Sequence, residues 1–223
     1  MSPTRRHRLQ ARVLGLIWAW VLRLQAATWR IEVEGLDRLD RMISRDQRFL
    51  LTFWHGKYLP LFALLRDHNA CVFASDSPRG DVLAEISRRF GYACMQIPDH
   101  ARDRSLDLMR ETLPHHRAGA IAVDGPLGPH HVVHRGAIQL ASELGLVVLP
   151  ASVAARRKRV RKQRWDRMEV PHLFTRVYLV VGNPIIIPSD VAPDDIAGWA
   201  NQLRDALEAV DRRAEDKART VAL

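Results

Sequence analysis

The sequence predicts an α/β fold: a single domain with a mostly parallel or mixed central sheet flanked by helices, preceded by an N-terminal amphipathic helix. Short apolar runs alternate along the chain with stretches of helical periodicity, which is the pattern of sheets with helices packed on their faces. Several of these runs end in loops rich in turn-forming residues. The length of 223 residues, 47% of them hydrophobic, suffices for such a domain with a sizeable core.

The elements follow in chain order. Alternation over residues 29–34 indicates an edge strand, and residues 36–46 form a short amphipathic helix. Residues 75–81 are rich in turn formers and predict a loop. Strands are predicted at 49–53, 70–74, 92–97, 119–123, 146–153 and 176–182, and helices at 59–66, 82–90, 104–115 and 135–144. Apolar residues from Ile196 to Val210 recur at helical spacing and predict a C-terminal helix with Asp194 or Asp195 available as its cap.

The N-terminal segment has the pattern of a membrane-interface helix. The first thirty residues contain six arginines and no acidic residue, and a ten-residue apolar run lies between Arg12 and Arg23. That run is too short to span a bilayer, which takes about 20 residues. Tryptophan rings at headgroup depth with arginines on anionic lipid favour a helix lying in the interface, with a core helix and a signal peptide as alternatives. We therefore expect residues 1–28 to form an interfacial helix and residues 29–223 to form the α/β domain.

The charge favours acidic partners. A net charge of +9 and a pI near 10.5 suit an anionic membrane surface, nucleic acid or a phosphate-bearing substrate. Eight basic residues lie within 156–167, either as a solvated loop or as a contact for a phosphate or an acidic protein. Nucleic acid is disfavoured there because Trp165 is the only stacking ring. Cys71 and Cys94 lie in apolar runs without zinc spacing, as expected of reduced thiols inside a cell.

His55 is the candidate catalytic base. It follows the apolar run 49–53, which is short enough for a buried strand, and precedes Gly56, where a backbone or a ligand can approach closely. A histidine at the mouth of a strand suits general-base catalysis at neutral pH; the alternative is a structural histidine held by a backbone carbonyl. Because ligands bind beyond the carboxyl ends of parallel strands, we expect His55, residues 75–81 and Asp124 along one rim.

Other kinds of site are disfavoured. The sequence has no G-x-G-x-x-G, no G-x-x-x-x-G-K-[ST] and no G-x-S-x-G motif. His130 and His134 are four residues apart, but the Gly-Pro pair before them favours a turn over a shared helix face, and we predict no metal site. Ser75 or Ser77, as a nucleophile activated by His55, is a further alternative.

The most informative stretch is residues 123–141, which read Val-Asp-Gly-Pro-Leu-Gly-Pro-His-His-Val-Val-His-Arg-Gly-Ala-Ile-Gln-Leu-Ala. A carboxylate after a strand, a rigid Gly/Pro turn and a helix opening at Gly136 make a loop whose backbone amides can face an anion. A tight structural turn alone would not explain so long a pattern.

These stretches resemble the lysophospholipid acyltransferase-like superfamily, which has the glycerolphosphate acyltransferase fold, and are similar to a bacterial branch of unsettled function. The first motif of the superfamily is a histidine with an aspartate five positions on; His55 matches, and Pro60 stands at the second position. The branch motif D-G-P-R-G-P is matched except that Leu127 replaces the arginine. The matching residues are Asp124, Gly125, Pro126, Gly128 and Pro129.

Further stretches match in consistent order over roughly residues 30–188. The branch has D-G-E before the helix after the third strand, where this chain has Arg-Gly-Asp at residues 79–81. A later V-P element, a W-D pair and a G-x-P-I element are similar to residues 149–150, 165–166 and 182–185. The resemblance implies that residues 29–223 form an acyltransferase-like domain.

The resemblance also implies transfer of a fatty acyl group from acyl-CoA or acyl carrier protein to a lipid hydroxyl, peripherally at the cytoplasmic face of the inner membrane. His55 would take the hydroxyl proton, Asp124 would bind the acceptor, and amides near Gly125 or Gly56 would stabilise the oxyanion. Expected partners are the anionic membrane surface, the lipid acceptor and acyl carrier protein as one donor, without nucleic acid, metal or redox cofactor. The predicted substrate-binding residues are Gly56, Lys57, Ser75, Arg79, Asp81, Gly125, Pro126, Gly128 and Arg135.

Two departures from the family pattern bear on activity. Without a carboxylate at position 60, His55 lacks the partner that sets its tautomer, and Leu127 removes a phosphate-binding charge. The alternative function is therefore a non-catalytic lipid-binding or scaffold protein on the same fold. The candidate replacements are Asp76, Asp81 or Asp124 for the carboxylate and Arg79 or Arg135 for the charge.

Overall fold

The computed structural model describes residues 3–65, 70–98 and 102–220 of the chain. Within these ranges the helices are Pro3–Ala27 (α1), Leu36–Ser44 (α2), Tyr58–Leu64 (α3), Pro78–Arg89 (α4), Arg102–Thr112 (α5), Arg135–Leu144 (α6) and Ile196–Arg219 (α7). The strands are Arg30–Glu34 (β1), Phe49–Phe53 (β2), Cys71–Ser75 (β3), Ala93–Ile97 (β4), Ala118–Ala122 (β5), Val147–Ala155 (β6), Lys158–Val160 (β7), Glu169–Pro171 (β8), Arg176–Val181 (β9) and Ile185–Ile186 (β10).

Eight of these strands form one mixed, mostly parallel sheet, which confirms the predicted α/β class. Their order is β1-β9-β6-β2-β5-β3-β4, and β10 pairs with β6. Strands β6, β2, β5, β3 and β4 run parallel to one another, whereas β9 is antiparallel to β6 and β1 is parallel to β9. The carboxyl ends of β2, β5 and β3 therefore share one rim, as predicted.

Both faces of the sheet are buried at its central strands β2 and β6. Successive side chains of a strand point to opposite faces, and along β2 Phe49 and Leu51 join one hydrophobic cluster while Leu50 joins the other. Strand β6 is buried at all nine residues. Helix α7 covers part of one face with the predicted apolar stripe, in which Leu203 and Leu207 are almost completely buried.

Helix α1 packs against α4 through small residues and exposes large ones. Ala11 and Ala19 are buried, and a side chain at Gly15 would meet the Cβ of Glu85 at 2.6 Å. The outward face carries large apolar side chains, with Trp18 and Trp20 each 56% exposed. No helix in the described ranges combines the length and apolarity that crossing a membrane requires.

The predicted loop at residues 75–81 is wrong in its second half, because α4 begins at Pro78 rather than at residue 82. Ser77 caps the helix, its hydroxyl accepting a hydrogen bond from the Gly80 amide at 3.1 Å. Proline suits the first turn because its missing N–H would have no partner there. The residues interpreted as turn formers are therefore helix start signals.

The basic run 156–167 is not one irregular loop. Strand β6 extends past the residues that pair with β2, and the chain then forms the antiparallel hairpin β7–β8. Since β6 lies beside β2 and is the longer strand, this hairpin reaches beyond the carboxyl end of β2. The basic side chains lie on its first arm and its turn.

Other boundaries differ by a few residues. Helix α3 ends at Leu64, and residue 66, where the prediction ended it, lies outside the described residues. Asp195 occupies the N-cap position of α7 but makes no side-chain cap hydrogen bond. Helix α7 continues beyond the predicted stripe, to Arg219.

Candidate active site

His55 lies at the rim where β2 ends. The residues His55–Lys57 form one turn of 3-10 helix between β2 and α3. The backbone N–H of His55 donates to Asp124 Oδ1 at 2.8 Å. Asp124 follows the neighbouring strand β5, so the bond ties the two strand ends together.

The carboxylate that faces the His55 ring is Asp166, in the turn of the β7–β8 hairpin. His55 Nδ1 and Asp166 Oδ2 are 2.8 Å apart, and the Asp166 side chain is fully buried while that of His55 is 26% exposed. The three candidates named from sequence are therefore corrected. Asp124 contacts only the backbone of His55, Asp81 pairs with His7 and Gln96, and no described contact joins the exposed Asp76 to His55.

Asp166 is held as an anion. The Arg164 guanidinium donates to both carboxylate oxygens at 2.8 Å, and the Met168 amide donates to Oδ1 at 3.2 Å. Burial by itself would raise the pKa of Asp166, but hydrogen bonds from Arg164 and His55 outweigh it and lower the pKa to about 2. A negative charge therefore faces His55 Nδ1 at neutral pH.

Two glycines of the sequence motifs, Gly56 and Gly128, allow the β7–β8 hairpin to approach the segments in which they lie. A Cβ at Gly56 would overlap the backbone carbonyl oxygen of Asp166. A Cβ at Gly128 would meet the Trp165 ring at 2.8 Å, and Gly128 also has a φ of 77° that favours glycine. A close approach at Gly56 was predicted, and the group that approaches is the Asp166 backbone of the same chain.

Aromatic rings border the His55 ring. The Trp165 ring centroid lies 5.1 Å from that of His55, and the Tyr58 ring lies 5.4 Å away in an edge-on arrangement. Among the described residues, none makes a hydrogen bond to His55 Nε2. With the proton on Nδ1 and donated to Asp166, the Nε2 lone pair can accept a proton.

Asp124 is a buried anchor rather than a surface group. Its side chain is fully buried, and its second oxygen accepts the His131 amide at 3.4 Å. Burial raises the pKa of Asp124, although the amides of His55 and His131 lower it in part. The predicted hydrogen bond to an acceptor hydroxyl needs an exposed oxygen, so we place Asp124 as the residue that positions the His55 backbone.

The three histidines after the D-G-P-L-G-P motif pack within the protein. The rings of His130 and His131 stack at 3.9 Å, and His131 stacks on Trp54 at 4.3 Å. Burial lowers the pKa of His131 to about 4, with the neighbouring His130 acting in the same direction. His134 Nε2 lies 3.1 Å from the Gly128 carbonyl oxygen. In the described ranges, no three His, Cys, Asp or Glu side chains are arranged to hold a metal ion.

The residues 75–81 lie at the same rim as His55 but farther along it. Strand β5 separates β3 from β2, which puts the end of β3 roughly 10 Å from that of β2. The Ser75 and Ser77 hydroxyls lie 2.6 Å apart, and no described contact joins either to His55. Arg79 is exposed and, with Trp18 and Leu14 of α1, lines a cavity of about 350 Å³.

The other predicted substrate-binding residues differ in their exposure and in their hydrogen-bond partners. Pro126 and Arg135 are exposed, and Leu127 between them in sequence is 60% exposed. The Gly125 amide already donates to the Ala122 carbonyl at 3.2 Å, so it is not a free oxyanion donor. Lys57 is only 4% exposed, and its ammonium contacts carboxylates of this chain instead of the rim.

Asp166 is not among the site residues that the sequence predicts. Residue 166 is 111 positions from His55, and only the hairpin brings it close. Two signals point to Asp166: residues 165–166 match the W-D pair of the resembled family, and Asp166 is the only acidic residue within 156–168. Arg164, two positions before it, supplies the neutralising charge.

No protein-family model matches the sequence. A curated protein of Rickettsia prowazekii (strain Madrid E), described as uncharacterised, is 23% identical over 206 residues, covering 90% of this chain and 92% of that protein. The solved structure of the 1-acyl-sn-glycerophosphate (LPA) acyltransferase PlsC from Thermotoga maritima superposes with a TM-score of 0.55 at 18% identity, covering 100% of this chain and 86% of that one. The chain thus has an acyltransferase-like fold, with its mixed sheet and His55 at the carboxyl end of β2.

Proposed function

We propose that this protein is an O-acyltransferase that moves a fatty acyl group from acyl-CoA or acyl carrier protein to a lipid hydroxyl, with His55 as general base. The observation that carries the proposal is the 2.8 Å contact between His55 Nδ1 and the buried carboxylate of Asp166. A carboxylate in this position orients the imidazole and stabilises the imidazolium. The acyltransferase-like fold supports the same reaction class.

This geometry supports the following reaction. The acceptor hydroxyl attacks the thioester carbonyl while His55 Nε2 takes its proton, and Asp166 stabilises the resulting imidazolium. The tetrahedral intermediate then collapses, the carbon–sulfur bond breaks, and the thiolate takes the proton from Nε2. Neither a metal nor a redox cofactor is needed, because only a proton and the acyl group move.

The basic hairpin supports an anionic acyl donor. Coenzyme A carries phosphates and acyl carrier proteins are acidic, so either donor would be attracted to a dense positive surface. Seven basic side chains of this segment are exposed next to the turn that carries Asp166. They are Arg156, Arg157, Arg159, Arg161, Lys162, Arg164 and Arg167.

Helix α1 supports a peripheral position on an anionic membrane. Its outward side exposes Trp18, Trp20 and Leu24, the last 64% exposed, while Arg8 and Arg12 are also exposed. An exposed apolar face with tryptophans and arginines is typical of interfacial helices. We place the protein on the cytoplasmic face of the inner membrane, where the lipid acceptor would reach the rim from the bilayer.

The alternative, a non-catalytic lipid-binding protein, was based on the missing carboxylate at position 60. Pro60 is buried within α3, and Asp166 supplies a carboxylate to the same histidine from another segment. That geometry favours catalysis over a purely binding role.

Replacement of His55 tests the reaction. We expect the His55→Ala variant to lose about 10²- to 10⁴-fold in acyl transfer, because the positioned base is removed. The measurement is transfer from radiolabelled acyl-CoA and acyl-carrier-protein donors to a panel of lysolipids. Transfer that survives His55→Ala unchanged would refute the mechanism, and no transfer by wild-type protein with any pair would favour the binding role.

Replacement of two tryptophans tests the membrane contact. We expect Trp18→Ser with Trp20→Ser to weaken binding to anionic vesicles by about 10-fold or more, because two exposed rings no longer enter the interface. Vesicle flotation measures this, and Ile186→Ser is the control, since Ile186 is 72% exposed at the amino end of β6. Equal loss of binding in the control would contradict a specific role for α1.

A further inference from the structure

A buried lysine ammonium lies beside the candidate active site. Lys57 is only 4% exposed, and its Nζ lies 2.9 Å from Glu169, 3.0 Å from Asp211 and 2.9 Å from Glu215. A second cation, Lys158, pairs with Glu169 at 2.9 Å and also with Glu215. These five residues form the Lys57 cluster.

The Lys57 cluster joins three parts of the chain. Lys57 comes two residues after His55, and Glu169 comes three residues after Asp166. Asp211 and Glu215 lie one turn apart on α7 and therefore face the same direction. The segment with the proposed base, the hairpin with its carboxylate and the C-terminal helix meet at one ammonium group.

The hairpin has few other means of attachment. Of the described residues that form the hydrophobic core clusters, none belongs to residues 158–171. Apart from the Trp165 ring, which packs beside His55 and over Gly128, the hairpin is held mainly by polar contacts, among them the buried Lys57–Glu169 pair beside the 3-10 turn. The Asp166 carbonyl also lies directly over Gly56, so a shift of the hairpin changes the distance between Asp166 and His55.

The charges of the cluster are mutually dependent. Burial alone would lower the pKa of Lys57, but Asp211, Glu169 and Glu215 together raise it above its ordinary value, so the ammonium remains charged. Asp211 also accepts a hydrogen bond from Ser152 of β6 at 2.6 Å. A buried charge tolerates little displacement from its partners, because separating them leaves each unsolvated.

We propose that Lys57 is a positioning residue: through Glu169 and the carboxylates of α7, it holds the β7–β8 hairpin against the 3-10 turn and so maintains the His55–Asp166 hydrogen bond. The effect of Lys57 on acyl transfer rests on the proposed function. The effect of Lys57 on the tautomer of His55 does not. A cluster that served stability alone would leave the tautomer unchanged in any folded variant.

The test is the tautomer of His55, read by NMR of protein with ¹⁵N-labelled histidine, with Asp166→Asn identifying the signal. In wild-type protein we expect the Nδ1–H tautomer, bonded to Asp166. In Lys57→Met we expect a mixture containing the Nε2–H tautomer, and kcat lowered by about 10²-fold with KM nearly unchanged, as a displacement of about 1 Å would produce. Arg213→Met is the control, because Arg213 lies on α7 but pairs with Glu34 of the edge strand β1, outside the Lys57 cluster.

Glu215→Gln is the second variant, for use if Lys57→Met does not fold. It keeps Lys57 and two of the carboxylates that contact the Lys57 ammonium, Glu169 and Asp211. It should shift the tautomer in the same direction by a smaller amount. If Lys57→Met or Glu215→Gln folds and His55 keeps its wild-type tautomer, the proposal is overturned. If wild-type protein transfers no acyl group but the tautomer responds, the proposed function fails and the positioning role stands.

Discussion

Asp166→Asn is expected to lower acyl transfer by about 10³- to 10⁴-fold while leaving the protein folded. An amide has the same shape as the carboxylate but offers an N–H toward His55, which favours the wrong tautomer and removes the charge that stabilises the imidazolium. In the proposed mechanism Asp166 orients the base and does not bind substrate, so the loss should be in kcat with KM little changed. Steady-state kinetics with the best donor and acceptor pair measures both constants.

Asp205→Asn is the matched control for Asp166→Asn. Asp205 lies on α7, its side chain is 67% exposed, and it pairs only with Arg204 among the described ion pairs. We expect wild-type kinetics from it. If Asp166→Asn retained wild-type kcat, Asp166 would have no part in the reaction, even though it lies 2.8 Å from His55.

Gly56→Ala is expected to lower kcat by about 10²-fold. The new methyl group would overlap the Asp166 carbonyl oxygen, so the hairpin backbone must move away from the 3-10 turn. A displacement on the order of 1 Å in a supporting segment can cost about this much, because the base loses its productive geometry. Kinetics and the His55 NMR signal together measure the change.

Gly198→Ala provides the control for Gly56→Ala. Gly198 is exposed in α7, and an added Cβ would have no neighbour within 4 Å among the described atoms. Alanine there should leave kcat unchanged and stabilise the helix by about 0.5–1 kcal/mol. If Gly56→Ala showed normal kinetics with Asp166 still bonded to His55, the close approach at Gly56 would not matter for the site.

The α/β class, the strand near His55 and the shared rim were predictable because they depend on local patterns. The apolar run 49–53 is β2, and the carboxyl ends of β2, β5 and β3 meet at one edge, as parallel pairing requires. The edge position of β1 was also predicted correctly from its alternation. The start of α4 was missed because Ser77 and Pro78 favour both turns and helix N-termini.

For Asp124, the sequence motif identifies the carboxylate but not the groups that it contacts. The sequence indicates a carboxylate after a strand, near the candidate base His55. It does not indicate that both oxygens are taken by the backbone amides of His55 and His131. Whether a carboxylate faces solvent or backbone depends on the path of the following loop, which no local propensity determines.

By itself, the sequence determined the type of fold, the base candidate and one glycine, Gly56, at which another group approaches closely. Only the tertiary structure decided which carboxylate serves His55, what approaches Gly56 and Gly128, and why Lys57 is charged in the interior. The reason is physical: periodicity and turn signals act over a few residues, whereas Asp166 and α7 reach the site through chain folding over more than a hundred residues. A hairpin held by ion pairs leaves no periodic apolar pattern, so its position follows from partners that are remote in sequence.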